Sequence, residues 1–137
     1  QLIDATSGSL SLLECLRKVG CQFVRLLQDP EAIAIFRVII AEAVNSPHVA
    51  TLFYQAGPEA SLSTLSDVIE KFGEGSLSRD IAQQLAVDYC ALLKGEYHTM
   101  MLCGIQSPLQ DEAITAHVNS AAEKILLLFT HYTQQHN

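Results

Sequence analysis

Three pairs in which proline follows a helix-capping residue, Asp29-Pro30, Ser46-Pro47 and Ser107-Pro108, divide this 137-residue chain. An Asp or Ser side chain can accept from the free N–H groups at a helix start, and proline in the first helical position gives up no bond that the helix needs. Between these marks the apolar residues recur at spacings of three and four, the period of a helix face. No segment shows the alternation of a strand. The sequence therefore predicts an all-α bundle of five to six helices with short connections.

The boundaries follow from local signals. Ser11 and Glu14 have capping-box spacing, and Leu12, Leu13, Leu16, Val19, Phe23, Leu26 and Leu27 form the face of a first helix that ends at Asp29-Pro30. A second helix spans Pro30 to about Val44, with Ile33, Phe36, Ile40 and Ala43 along one face. A third stretch, His48 to about Phe72, contains Gly57-Pro58, where a sharp break is expected because an internal proline removes a bond and crowds the preceding turn. Gly73-Glu74-Gly75 closes it. A long helix is predicted from Arg79 to Cys103, stopped by Gly104. Its two apolar stripes are Ile81, Leu85, Tyr89 and Leu92, and Ala82, Ala86, Cys90, Leu93, Tyr97 and Met101, so it should be packed on both sides. The last helix follows Ser107-Pro108 and reaches about Tyr132, with a tail to Asn137 that should fray.

In this last helix Ile114, Val118, Ala121, Ile125, Leu128 and Tyr132 keep the rhythm of a packing seam, widened by Ala122, Leu126 and Phe129. The last two helices carry more apolar surface than one core needs. Pairing them with the same helices of a second copy would give a two-fold four-helix interface. The expected dimer positions are Ala82, Leu85, Ala86, Ile114, Val118, Ala121, Ala122, Ile125, Leu128 and Phe129.

Composition agrees with a buried partner surface or an internal cavity. Hydrophobic residues make up 49% and charged residues 17%, against roughly a quarter charged in an average soluble domain. The net charge is -7, and Arg17-Lys18 is the only adjacent basic pair. Phosphate backbones are bound by clustered cations, so this chain alone is not expected to bind nucleic acid. No apolar run is long enough to span a membrane, and no signal peptide is visible. Cys15, Cys21, Cys90 and Cys103 lack a CxxC spacing and are expected as reduced thiols in a cytoplasmic protein. Residues 1–137 are read as a single domain, and the start at Gln1-Leu2-Ile3 as that of a fragment or processed chain.

Catalytic and metal constellations are weak. Asp67 and Glu70 share a helix face, as an acid–base pair could, but a solvated charged edge is the favoured reading. Lys94 and His98 share a face that Glu96 does not. His98 with Cys103, and Cys90 with Glu96, lack the same-face spacing of a metal site, and His131 and His136 lie near a fraying end. The expectation is no enzyme, no metal and no cofactor.

Several phrases, taken in order, resemble the C-terminal domain of TetR-family regulators. They are Phe36-Arg37-Val38-Ile39-Ile40-Ala41-Glu42-Ala43 before Ser46-Pro47, then Phe53-Tyr54-Gln55-Ala56-Gly57-Pro58-Glu59. Next come Leu92-Leu93-Lys94-Gly95-Glu96-Tyr97-His98 with Leu102-Cys103-Gly104, and last His117-Val118-Asn119-Ser120-Ala121-Ala122-Glu123 leading into Leu126-Leu127-Leu128-Phe129. The resemblance runs from about Leu10 to Phe129, and Ser78-Arg79-Asp80 departs from it where relatives often have Asp-Pro.

The resemblance implies an effector-binding and dimerisation domain whose last two helices form the dimer. It implies earlier helices that enclose a pocket for a small, hydrophobic or aromatic effector. In the family, effector binding moves a linking helix and separates two DNA-reading heads, so operator affinity falls. The N-terminal helix-turn-helix of the family is not in this chain, and DNA would be reached only through it. The residues placed around the pocket by this resemblance are Phe23, Phe36, Arg37, Ile40, Phe53, Tyr54, Ile69, Phe72, Tyr89, Leu93, Tyr97, His98 and Met101, with Met100 also on those helices. Taken singly, each of these residues is read more readily as plain core. Arg37, Glu42, Gln55 and His98 could be polar anchors, although Arg37 and Glu42 could equally serve neighbouring helices. The expected partners are a second copy and the effector, with no membrane. The alternative is a helical protein-interaction or dimerisation module without a small ligand.

Overall fold

A computed structural model describes residues 10–134. The expectations about the chain start, the tail beyond Gln134 and His136 lie outside the described residues. The helices are α1 (Leu12–Leu27), α2 (Pro30–Glu42), α3 (Pro47–Tyr54), α4 (Ala60–Gly73), α5 (Arg79–Lys94), α6 (Tyr97–Leu102) and α7 (Asp111–Gln134). Among the described residues there is no strand, and no helix is long and apolar enough to cross a membrane.

Several capping signals act where the sequence places them, although Ser46 ahead of α3 makes no side-chain cap bond. At the start of α1 the Ser11 hydroxyl accepts from the Glu14 N–H at 3.2 Å, and the Glu14 carboxylate accepts from the Ser11 N–H at 3.1 Å. Asp29 accepts from the N–H groups of Glu31 and Ala32, with Pro30 opening α2. At the departure from the family pattern, Ser78 caps α5 by accepting from Ile81 N–H.

Three expectations are corrected. Gly57-Pro58 does not break the chain: Gln55–Glu59 form a π turn that carries α3 into α4. The wider turn accommodates a residue that has no N–H to donate. The predicted long helix from Arg79 to Cys103 is instead two helices. Gly95, at φ 49° and ψ −149°, ends α5, and α6 starts anew at Tyr97. Ser107-Pro108 does not open the last helix. The connection continues to Gln110, and α7 begins at Asp111.

The core forms where α1 packs on α7, α4 on α5, and α5 also against α7. Leu16, Ile69, Leu85, Tyr89, Ile114, Val118 and Ile125 are fully buried there. Both stripes of α5 contribute, as a helix packed on two sides requires, with Ala82, Ala86 and Leu93 also buried. At Gly20 the helices come closest: an added Cβ would lie 2.7 Å from Val118 Cγ1 and 3.3 Å from Leu93 Cδ2, and would run into the Tyr89 hydroxyl. That hydroxyl donates to the Leu16 carbonyl. In contrast, α2 buries only Ile33 and α3 buries nothing. Val38 and Ile40 on α2, Val44 in the turn after it and Leu52 on α3 are exposed, so part of the apolar excess lies here, besides Val87 on α5 and Leu127 and Leu128 on α7.

Candidate functional site

A cleft lies where the end of α1, the end of α5, α6 and the connection into α7 meet. Val24, Leu27 and the α1 cap residue Gln28 form one wall, Leu93 and Lys94 another, and Tyr97, His98 and Met101 of α6 the third, with Leu109 across the mouth. It holds about 240 Å³ of atom-free space, but only about 10 Å³ of this can take the centre of a water molecule. That is room for one water. A small-molecule pocket occupies roughly 300–1,000 Å³, so a ligand could enter only if these elements moved apart.

Three polar contacts hold the elements together. The Gln28 side-chain amide pairs with the Leu109 peptide in both directions, donating to its carbonyl at 3.1 Å and accepting from its N–H at 2.8 Å. Arg37 reaches from α2 to the end of α6, where Nε donates to the Leu102 carbonyl at 2.9 Å and Nη2 to the Met101 carbonyl at 2.8 Å. Carbonyls in a last helical turn carry negative partial charge, which a guanidinium complements, and here the Met101 carbonyl also accepts from the Gly104 N–H at 3.0 Å. His117 on α7 places Nε2 2.8 Å from the Leu93 carbonyl and meets the Tyr97 ring edge-on, centroids 5.1 Å apart. Rings add to this: Phe36 lies 5.3 Å from His98 and 6.0 Å from Phe53 between centroids.

The lining contains no carboxylate. Burial, and then the neighbouring Lys94 ammonium, hold the His98 imidazole below its ordinary value of 6.5. Burial pushes the Cys90 thiol up to about 11, with Lys94 opposing, so it carries little of the thiolate that makes a cysteine nucleophilic. Asp67 and Glu70 both accept from Arg79 Nη1, at 2.7 and 3.0 Å. Their proximity ties α4 to α5 through an arginine and does not form an acid–base pair. Among the described residues no three His, Cys, Asp or Glu side chains converge as metal ligands would.

The geometry is that of a narrow, mostly apolar cleft at the junction of several helices. Residues 14–131 match the family model of the AefR-like transcriptional repressor C-terminal domain, a TetR C-terminal class. The chain belongs to the TetR family. No curated protein and no solved structure gave a match. The all-α bundle is that of a TetR C-terminal regulatory domain, whose work is transcription regulation.

Against this TetR frame the expected pocket residues divide into groups. Leu93, Tyr97, His98 and Met101 line the cleft. Phe36 and Phe53 stand behind His98 in the ring cluster. Ile69 and Tyr89 are fully buried core, and Phe23 and Phe72 pack against that core. Ile40 is 60% exposed and Tyr54 47% exposed, both away from the cleft lining. Arg37 is engaged with the α6 carbonyls. Val24, Leu27, Gln28, Lys94 and Leu109 line the cleft without having been expected there. Gln28 and Leu109 are 81 residues apart, and no local pattern joins them. Lys94 sits beside His98 within the phrase that carries the resemblance, which could have drawn attention to it.

The expected dimer positions are placed differently. Ala82, Leu85, Ala86, Ile114, Val118, Ala121, Ala122 and Ile125 are buried within the protomer itself. They form the seam that joins α5 and α7 to the rest of one chain and have no surface to offer a partner. Phe129 packs partly against the core, and Leu128 is exposed. The outer face of α7 carries Ala113, Ala116, Ser120, Lys124 and Leu127.

Proposed function

We propose that this domain senses a small apolar effector in the cleft between α1, α5 and α6, and that it works as a homodimer within a regulator whose N-terminal domain binds DNA. The observation that carries this reading is the cleft itself. Its lining is chiefly apolar, a few polar groups border it, and it stands, narrow, at the junction of several helices. An effector can shift a regulator only if it binds one conformation better than the other. A cleft with room for one water binds an effector only in an opened form, so occupancy would select that form. Opening would strain the Gln28–Leu109 pairing and the Arg37 contacts, which connect the cleft to α1, α2 and the connection into α7. Those contacts are the route by which effector binding would reach the rest of the molecule.

For the dimer, the outer face of α7 is the favoured surface. Ala116, Ser120, Glu123 and Leu127 follow one another at helix-face spacing and are all exposed. The small residues at 113, 116 and 120 would let a second helix approach closely. The chemistry of regulation needs no catalytic group, and no cofactor is assigned.

The test is a native mass spectrum of the purified chain, taken with and without small apolar compounds. The expected species has twice the 15.0 kDa chain mass and retains ligand. A clean monomer at every workable concentration would refute the dimer. A dimer that takes up none of the compounds would favour the helical interaction module without a small ligand.

A further inference from the structure

Resting on the reading of the cleft as an effector site, we infer that the effector is an amphipathic organic anion, with an apolar body against Leu27, Leu93 and Met101 and an acidic group at Lys94. The lining offers cationic and neutral polar groups but no carboxylate. Three arginines that lie elsewhere are already engaged: Arg25 faces Asp111, Arg37 holds the α6 carbonyls, and Arg79 holds Asp67 and Glu70. Lys94 makes no ion pair among the described residues, and it stands at the cleft. In a chain of net charge -7, an uncompensated cation at the mouth of an apolar cleft selects for a ligand of opposite sign and against a cation. The Gln28 amide is a weaker candidate, because it is uncharged and has one N–H and its oxygen engaged with Leu109. The Lys94 field is felt at the site, since it adds to burial in holding the His98 imidazole below its ordinary value. A ligand acid group would cancel that field, whereas an ammonium ligand would add to it.

The probes are octanoate, octanol and octylammonium, which share one apolar chain and differ in charge. Each is titrated into the chain by calorimetry, with methyl NMR of Leu27, Leu93, Met101 and Leu109 to locate the site. Octanoate should bind most tightly and octylammonium least. Lys94→Gln should weaken octanoate about fivefold, in the range of a partly exposed charge pair, and change octanol by less than about twofold. Lys94 is exposed, so its replacement leaves the fold intact. Equal or tighter binding of octanol, tightest binding of octylammonium, or an unchanged octanoate affinity in Lys94→Gln would overturn the anion assignment and leave the apolar effector site standing. If none of the three disturbs the cleft methyls, both readings fall.

Discussion

Gly20 and Tyr89 act as one device. The tyrosine hydroxyl reaches the Leu16 carbonyl of α1 through space that a side chain at position 20 would fill. Burial pushes the Tyr89 hydroxyl up, so it remains a proton donor. Gly20→Ala should destabilise the protein by about 1–3 kcal/mol, as overpacking of a filled core does. Tyr89→Phe should cost about 1 kcal/mol for the lost hydrogen bond. The two should be less than additive, because the phenylalanine removes the atom nearest the new methyl; urea unfolding of the four variants measures the coupling. His98 gives a second prediction at this scale. Its folded value lies below its unfolded 6.5, so around and below that pH the unfolded chain binds more protons than the folded one. Its stability is full above about pH 6.5 and falls as the pH drops through that value. His98→Gln should lose less stability than the parent between about pH 7.5 and pH 5.5, and equal losses would show that His98 is not the titrating group. The Tyr89–Leu16 pairing was not legible in the sequence, whereas Lys94 and His98 already stood out as neighbours on one face. Tyr89 was visible as an apolar-stripe residue, but its hydroxyl partner is a backbone atom 73 residues away.

At the scale of elements, the starts of α1, α2 and α5 were legible, whereas the starts of α6 and α7 and the helix interruptions were not. Starts are set by local hydrogen bonds, and Ser11, Asp29 and Ser78 use them in the structure as their residue types allow. Proline and glycine signal less directly. Pro58 was expected to break a helix, and the π turn kept it continuous. Gly95 was expected to lie inside a helix, where a single glycine is tolerated, but its φ of 49° ends α5. That break turns α6 so that Tyr97, His98 and Met101 border the cleft with Leu93 and Lys94. Gly95→Ala would force a side chain into a backbone region that residues with a Cβ avoid, with the new methyl 3.3 Å from His117 Cε1. The expected cost is about 1–3 kcal/mol, read by thermal or urea unfolding. A neutral result would mean that α5 and α6 can join into one helix. Arg37 has the opposite role, since it secures the end of a helix of only six residues. Arg37→Met should raise amide exchange in Cys103–Ile105 while leaving α5 and α7 protected, which hydrogen exchange resolves.

For the whole molecule, the apolar period of α7 marks a packing seam, but a period does not name what the seam packs against. A seam at Ile114, Val118, Ala121 and Ile125 looks the same in sequence whether it packs on the same chain or on a second copy. Here α1 and α5 cover it. The distinction can be tested with two substitutions on one helix. Ala121 is 3% exposed, so Ala121→Arg would bury an unpaired cation in the protomer core and should unfold the chain, not merely separate two copies. Leu127 is 72% exposed, so Leu127→Arg costs the isolated protomer little. At the centre of an α7–α7 contact, however, two symmetry-related arginines would face each other across the two-fold axis, and the loss is doubled because each copy carries the change. The expected outcome by sedimentation and circular dichroism is a disordered chain for Ala121→Arg and a folded monomer for Leu127→Arg. A Leu127→Arg protein that is still dimeric would move the interface off α7. The exposed apolar side chains Ile35, Val38, Val44 and Leu52 on α2, α3 and the turn between them would then become the surface to substitute next.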